Sequence, residues 1–190
     1  MFKKISLWYH FEGKFLFRNL KQGIRNLWYW APVIYKDRNW DSNYIYEIIK
    51  HKLKSQALYI GVTDRHTSAQ LDSKRMIICS NLIQKLQDEF YQMEYSDYSE
   101  YKYWFEDCKD QPGYSTWEKE LIWEKYDEYF KKYPLIYLRV LNGEGMFSLK
   151  DREPGEIKNL IAMNIGHINH NRARKLLFKI MEENIEGWWD

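Results

Sequence analysis

The chain of 190 residues holds only two cysteines. Cys79 and Cys108 stand apart, at no spacing that suits a metal or a redox pair, so reduced thiols and an intracellular setting are expected. Long apolar runs are also missing, which excludes a membrane span. Met1-Phe2-Lys3-Lys4 opens like a signal peptide, but no long apolar stretch follows before Glu12 and Arg18. Net charge is small, at +2, so no global field calls for nucleic acid, and duplex nucleic acid is not an expected partner. Catalytic signatures are lacking too. There is no G-x-S-x-G, no P-loop and no G-x-G-x-x-G opening a helix after a strand. Asn142-Gly143-Glu144-Gly145 reads as a turn, and nothing singles out an acid/base pair among the many carboxylates. An enzyme is disfavoured; no catalytic residue, metal ligand or cofactor is assigned. No internal repeat, low-complexity tract or linker divides the chain, so residues 1–190 read as a single domain.

What the chain has in excess is aromatic side chains, 18% of all residues, mostly Tyr and Trp. Such rings carry a polar handle and suit half-buried positions and binding surfaces as well as a core. Charge is unevenly spread. Residues 1–38 carry eight cations against Glu12 and Asp37, net +6, whereas residues 86–130 carry thirteen carboxylates against four lysines, net −9. Either the basic face awaits an anionic partner or the two segments pair with each other.

Periodicity predicts a mostly α fold, a bundle of about six helices. Phe17, Leu20, Ile24, Leu27 and Trp28 recur at helical spacing over residues 13–28, with Arg18, Lys21 and Arg25 on other faces. This basic amphipathic pattern suits a membrane surface, but core packing is the preferred reading, and no membrane partner is expected. Asp41 or Ser42 is a good N-cap for a stripe of Ile45, Ile48, Ile49, Leu53, Ala57 and Ile60. Gly61 is the expected stop, and Lys50, Lys52 and Lys54 are expected to be exposed. Met76, Cys79, Ile83, Leu86 and Phe90 form the next seam. Residues 94–115 alternate tyrosines with acids and read as an irregular aromatic and acidic insertion loop. Ser115-Thr116-Trp117-Glu118 matches a capping box ahead of a charged helix carrying Leu121, Tyr126, Tyr129 and Phe130, which Pro134 ends. Residues 135–149 fit a short helix broken at Gly143 or one small hairpin, with the helix preferred. Pro154-Gly155 opens a helix with Ile157, Leu160, Ile161 and Ile165. Leu176, Leu177, Ile180, Met181 and Ile185 face inward from the last one, beside a basic cluster of Arg172, Arg174, Lys175 and Lys179.

The densest stretch spans residues 28–41: five rings, a proline, two cations and two carboxylates. Pro32 argues against an uninterrupted helix, so the stretch reads as an ordered connector. Lys36 and Arg38 could clamp phosphate. Trp30, Tyr35 and Trp40 offer faces on which a base could stack. Asp37 and Asp41 could accept from a base edge or a ribose hydroxyl. Structural use of the same residues is the alternative: a cap, local ion pairs and core tryptophans. His167 and His170, one turn apart, could share a helix face toward a metal, but no metal signature accompanies them.

Trp30-Ala31-Pro32-Val33-Ile34-Tyr35-Lys36-Asp37-Arg38-Asn39-Trp40-Asp41 resembles the W/F-x-P-V-I-x-K-D-R-x-W-D signature of a family of hypothetical proteins of tailed bacteriophages. Ile185-Glu186-Gly187-Trp188-Trp189-Asp190 is similar to that family's C-terminal block. The resemblance implies a viral protein acting in a bacterial host cytoplasm, on host machinery or host defence. It brings no catalytic residues. Residues and resemblance together lead to an expected function: capture of a small anionic ligand, foremost a nucleotide-type host defence signal. Trp30, Tyr35, Lys36, Asp37, Arg38, Trp40 and Asp41 would hold it, with Arg172 and Arg174 helping. A homo-oligomer with a symmetric interface is compatible with such capture. The alternatives are an interaction protein that blocks a host protein through the tyrosine-rich acidic insertion, and a metal-dependent hydrolase.

Overall fold

A computed structural model describes residues 9, 13–38, 40–64, 66–109, 113–122, 124–150 and 152–188. The chain is mostly helical, with seven α-helices and one two-stranded sheet among the described residues. It forms two compact units, residues 1–52 and 53–190.

In the first unit a 3-10 turn, Gly13–Phe15, leads into helix α1, Leu16–Lys36. The helix continues unbroken through Pro32, against the expected connector. Proline deprives the Trp28 carbonyl of its N–H partner at a cost of about 3 kcal/mol, but residue 28 is exposed, so water can serve that carbonyl. Asp37 then closes the helix, its N–H donating to the Ile34 carbonyl at 3.2 Å. Helix α2, Asn43–Thr63, starts where Asp41 Oδ1 accepts from the Asn43 N–H at 2.8 Å, the cap read from the sequence. The two helices are joined by a reciprocal pair. Tyr29 OH donates to the His51 carbonyl at 2.8 Å, and His51 Nε2 lies 3.0 Å from the Tyr29 carbonyl. The Tyr29 and His51 rings sit 4.1 Å apart.

No residue of α1 is buried, which overturns its expected core role: Phe17, Leu20, Ile24, Leu27 and Trp28 all face outward. Lys50 departs from expectation in the other direction. It is buried, with Nζ on Glu47 Oε1 at 2.5 Å, one turn away.

The second unit opens with the rest of α2, whose Leu53, Ala57 and Ile60 are buried. That helix passes Gly61 and stops at Thr63, where Asp64 takes the left-handed conformation at φ 47°. Gly61 serves packing instead, because a Cβ there would fall 2.8 Å from Ser73 Oγ. Helix α3, Ala69–Gln87, buries Met76, Cys79, Ile83 and Leu86 as expected, while Phe90 is exposed at the head of the short α4, Phe90–Met93. After a 3-10 turn, Glu94–Tyr98, come strands β1, Glu100–Asp107, and β2, Ser115–Ile122. The expected capping box at Ser115 is therefore strand. Helices α5, Tyr126–Lys132, and α6, Pro134–Leu141, follow, with Pro134 opening α6 where its missing N–H costs nothing. The hairpin alternative for residues 135–149 is thus excluded; Gly143, at φ 89°, ends the helix turn as expected.

The two C-terminal helices expected from the sequence are one, α7, Pro154–Asn184. Helices α3, α4, α5 and α6 all pack on it. Gly166 sits where α4 comes closest, since a Cβ there would lie 2.9 Å from the Gln92 carbonyl. Ile161, Ala162, Ile165, Ala173 and Leu177 face the core, with Tyr126, Tyr129, Ile136 and Val140 opposite the first three. Of the residues expected to face inward near its end, Leu177 does; Leu176 and Ile185 are exposed. Buried Asn164 pins the loop after α6. Its Oδ1 accepts from the Met146 and Phe147 N–H groups and its Nδ2 donates to the Phe147 carbonyl, each at 2.9 Å.

Candidate functional site

The residues expected to hold a ligand near the first helix have distinct fates. Trp30 is half-buried, its ring 5.1 Å from that of His51. Tyr35 and Lys36 are exposed on the last turn of α1, and Trp40 is exposed between the helices. Asp41 is engaged as the cap of α2. Arg38 folds back, its Nη1 donating to the Asp37 carbonyl at 2.7 Å and the Tyr35 carbonyl at 3.4 Å. It thereby serves the carbonyl end of a helix, whose partial negative charge repels a phosphate. Asp37, between them, adds a carboxylate to the same end. The two cations flank a position electrostatically ill-suited to the clamp the sequence suggested.

Arg172 and Arg174 are exposed on α7, in the second unit. Arg174, Lys175, Phe178 and Lys179 line a groove of about 540 Å3, with Glu182 and Glu183 at one end. His167 and His170 lie on the same helix, and among the described residues no cluster of three His, Cys, Asp or Glu side chains could hold a metal ion. Burial holds the His170 imidazole below its ordinary pKa, with the Arg174 charge adding to the effect.

The most distinctive surface is the antiparallel hairpin β1–β2. Its register pairs Tyr101 with Leu121, Tyr103 with Lys119, Phe105 with Trp117 and Asp107 with Ser115. Because side chains alternate across a strand, one face carries Tyr101, Tyr103, Phe105 and Trp117. The other carries Glu100, Lys102, Trp104, Glu106, Glu118 and Glu120. Every residue of β1 is exposed. On the aromatic face Tyr103 stacks on Trp117, with centroids 5.0 Å apart and planes within 8°. Tyr101 continues the stack at 6.1 Å, and Lys119 Nζ lies 5.7 Å from the Tyr101 ring. Phe105 is 75% and Trp117 61% exposed.

A two-stranded hairpin is marginal by itself, and local bonds fasten this one. The Cys108 N–H donates to the Tyr114 carbonyl at 2.8 Å, Ser115 Oγ donates to Asp107 Oδ1 at 3.0 Å, and Lys125 pairs with Glu100. Phe105 and Trp117 were not singled out from the sequence. The signal was there: Tyr101, Tyr103 and Phe105 repeat with period two, followed by the turn signal at Pro112-Gly113. No protein-family model, curated protein or solved structure matches the chain.

Proposed function

We propose that this chain is an interaction protein that binds another protein through the aromatic face of its hairpin. The observation that carries the reading is the four-ring face of Tyr101, Tyr103, Phe105 and Trp117, held flat by stacking and open to water. Rigid aromatic rings lose little entropy on binding and are the commonest anchors of interfaces. Carboxylates choose the partner. Residues 100–122 carry six acids and three lysines, which repel a nucleic acid or an anionic lipid. The fitting occupant is a protein surface with an apolar patch rimmed by lysines and arginines. The resemblance to tailed-phage proteins makes a bacterial host protein the natural source.

The test places a photo-crosslinking phenylalanine analogue at position 105 and asks which protein is captured. The reading expects one stoichiometric partner that binds the purified chain directly and is lost in Trp117→Ala. Equal capture by wild type and Trp117→Ala would overturn it. A second reading has its own observation, the groove lined by Arg174, Lys175, Phe178 and Lys179 with Glu182 and Glu183: its cations and ring suit a small nucleotide-like anion, although Lys179 also pairs with Glu183 at 3.8 Å. Stabilisation by a nucleotide in a thermal-shift panel, abolished in Arg174→Ala together with Lys179→Ala, would support it.

A further inference from the structure

Among the described residues, none covers the most apolar side of helix α1, which packs through another side. At about 100° per residue, Leu16, Leu20, Ile24, Leu27, Ala31 and Ile34 share an arc of about 80°. Phe17, Trp28 and Tyr35 border that arc on one side. Next round the helix come all four of its cations, Arg18, Lys21, Arg25 and Lys36. The remaining side holds Tyr29, Trp30 and Val33, the only half-buried positions of the helix, and it is from here that Tyr29 and Trp30 reach His51. Leu16, Phe17, Leu20, Ile24, Leu27, Trp28, Ile34 and Tyr35 are each about half or more exposed.

We infer that this face docks on the surface of an anionic phospholipid bilayer, with α1 lying in the plane of the interface. The order of side chains round the helix reproduces the order of layers in a membrane: aliphatic groups for the acyl region, Trp and Tyr for the boundary, cations for the phosphates. The charge fits only an anionic surface, because the helix carries four cations and no carboxylate. A second copy of the helix would set like charges against like. The helix lies on the bilayer and does not cross it: no helix of the described residues is long and apolar enough to span a membrane.

The test is flotation of the full-length chain with vesicles of phosphatidylcholine alone or with one third phosphatidylglycerol. Binding is expected only to the mixed vesicles, weakening at least tenfold when salt rises from 50 to 500 mM. Leu20→Asp with Leu27→Asp should remove it, and Lys21→Gln with Arg25→Gln should weaken it at least fivefold. Leu135→Glu, at an exposed apolar position of α6, should leave it intact. Circular dichroism melts establish that each variant is folded, as the changed positions are all exposed. Failure to float with mixed vesicles, equal loss in Leu135→Glu, or a self-association that Leu20→Asp with Leu27→Asp abolishes would each overturn the inference.

Discussion

Replacing Trp117 by alanine separates a docking ring from a structural one. A tryptophan side chain offers about 250 Å2, and this one is 61% exposed, leaving about 150 Å2 for a partner to cover. At about 25 cal/mol per Å2 that area is worth at most about 4 kcal/mol. A truncation cost of about 2–4 kcal/mol follows, or a rise in Kd of roughly 30- to 1000-fold. Its contribution to folding is of similar size. By the same area rule the covered remainder, about 100 Å2, is worth about 2.5 kcal/mol, and the stack on Tyr103 adds about 0.5–1.5 kcal/mol, so Tm should fall by about 6–16 °C. Calorimetric titration of the captured partner, alongside a thermal melt, measures both. Trp104→Ala, on the opposite face, is the control and should change Kd less than about threefold. If Trp117→Ala binds like wild type while remaining folded, or if Trp104→Ala weakens binding as much, the aromatic face is not the docking surface.

Three further outcomes rest on single side chains. Asn164→Ala should lower stability by about 3 kcal/mol in urea unfolding, because three main-chain groups lose their partner together. Stability should fall as pH drops below about 6.5, the ordinary His value. The folded state holds His170 neutral by burial, so the unfolded chain takes up more protons there, and stability is present above that pH and lost below it. His170→Gln should flatten this acid limb of a pH series of melts. Finally, the folded chain should take up one equivalent of thiol reagent quickly at pH 8 and a second only on unfolding. Cys79 is fully buried with its pKa pushed up to about 11 by that burial, whereas Cys108 is half-buried.

Periodicity carried most of the helical fold. The seam from Met76 to Leu86 and the inward face at Ile161 and Ile165 were legible because a buried stripe repeats with the helix turn. The same signal misled at α1, since a stripe records amphipathicity without naming what covers it. Pro32 misled too: it stands one turn from the end of the helix, where the long regular run from Leu16 outweighs one lost hydrogen bond. At Ser115 a local capping pattern competed with cross-strand pairing. Pairing won because Trp117 finds Phe105 opposite and Tyr103 diagonally across, contacts that no local window contains. The position of Arg38 was not legible, because its donation to main-chain carbonyls of its own helix end depends on backbone geometry that residue types do not reveal.

The hairpin has consequences for crowded solution as well as for recognition. With only two strands in the sheet among the described residues, each outer edge is a template on which a further strand, including one from another copy, can add. Glu100, Glu106, Glu118 and Glu120 crowd one side of that ribbon, so every added copy would bring like charge onto like. Salt screens this brake: at about 1 M the protein should grow into fibrils or precipitate at concentrations that are harmless at about 0.1 M.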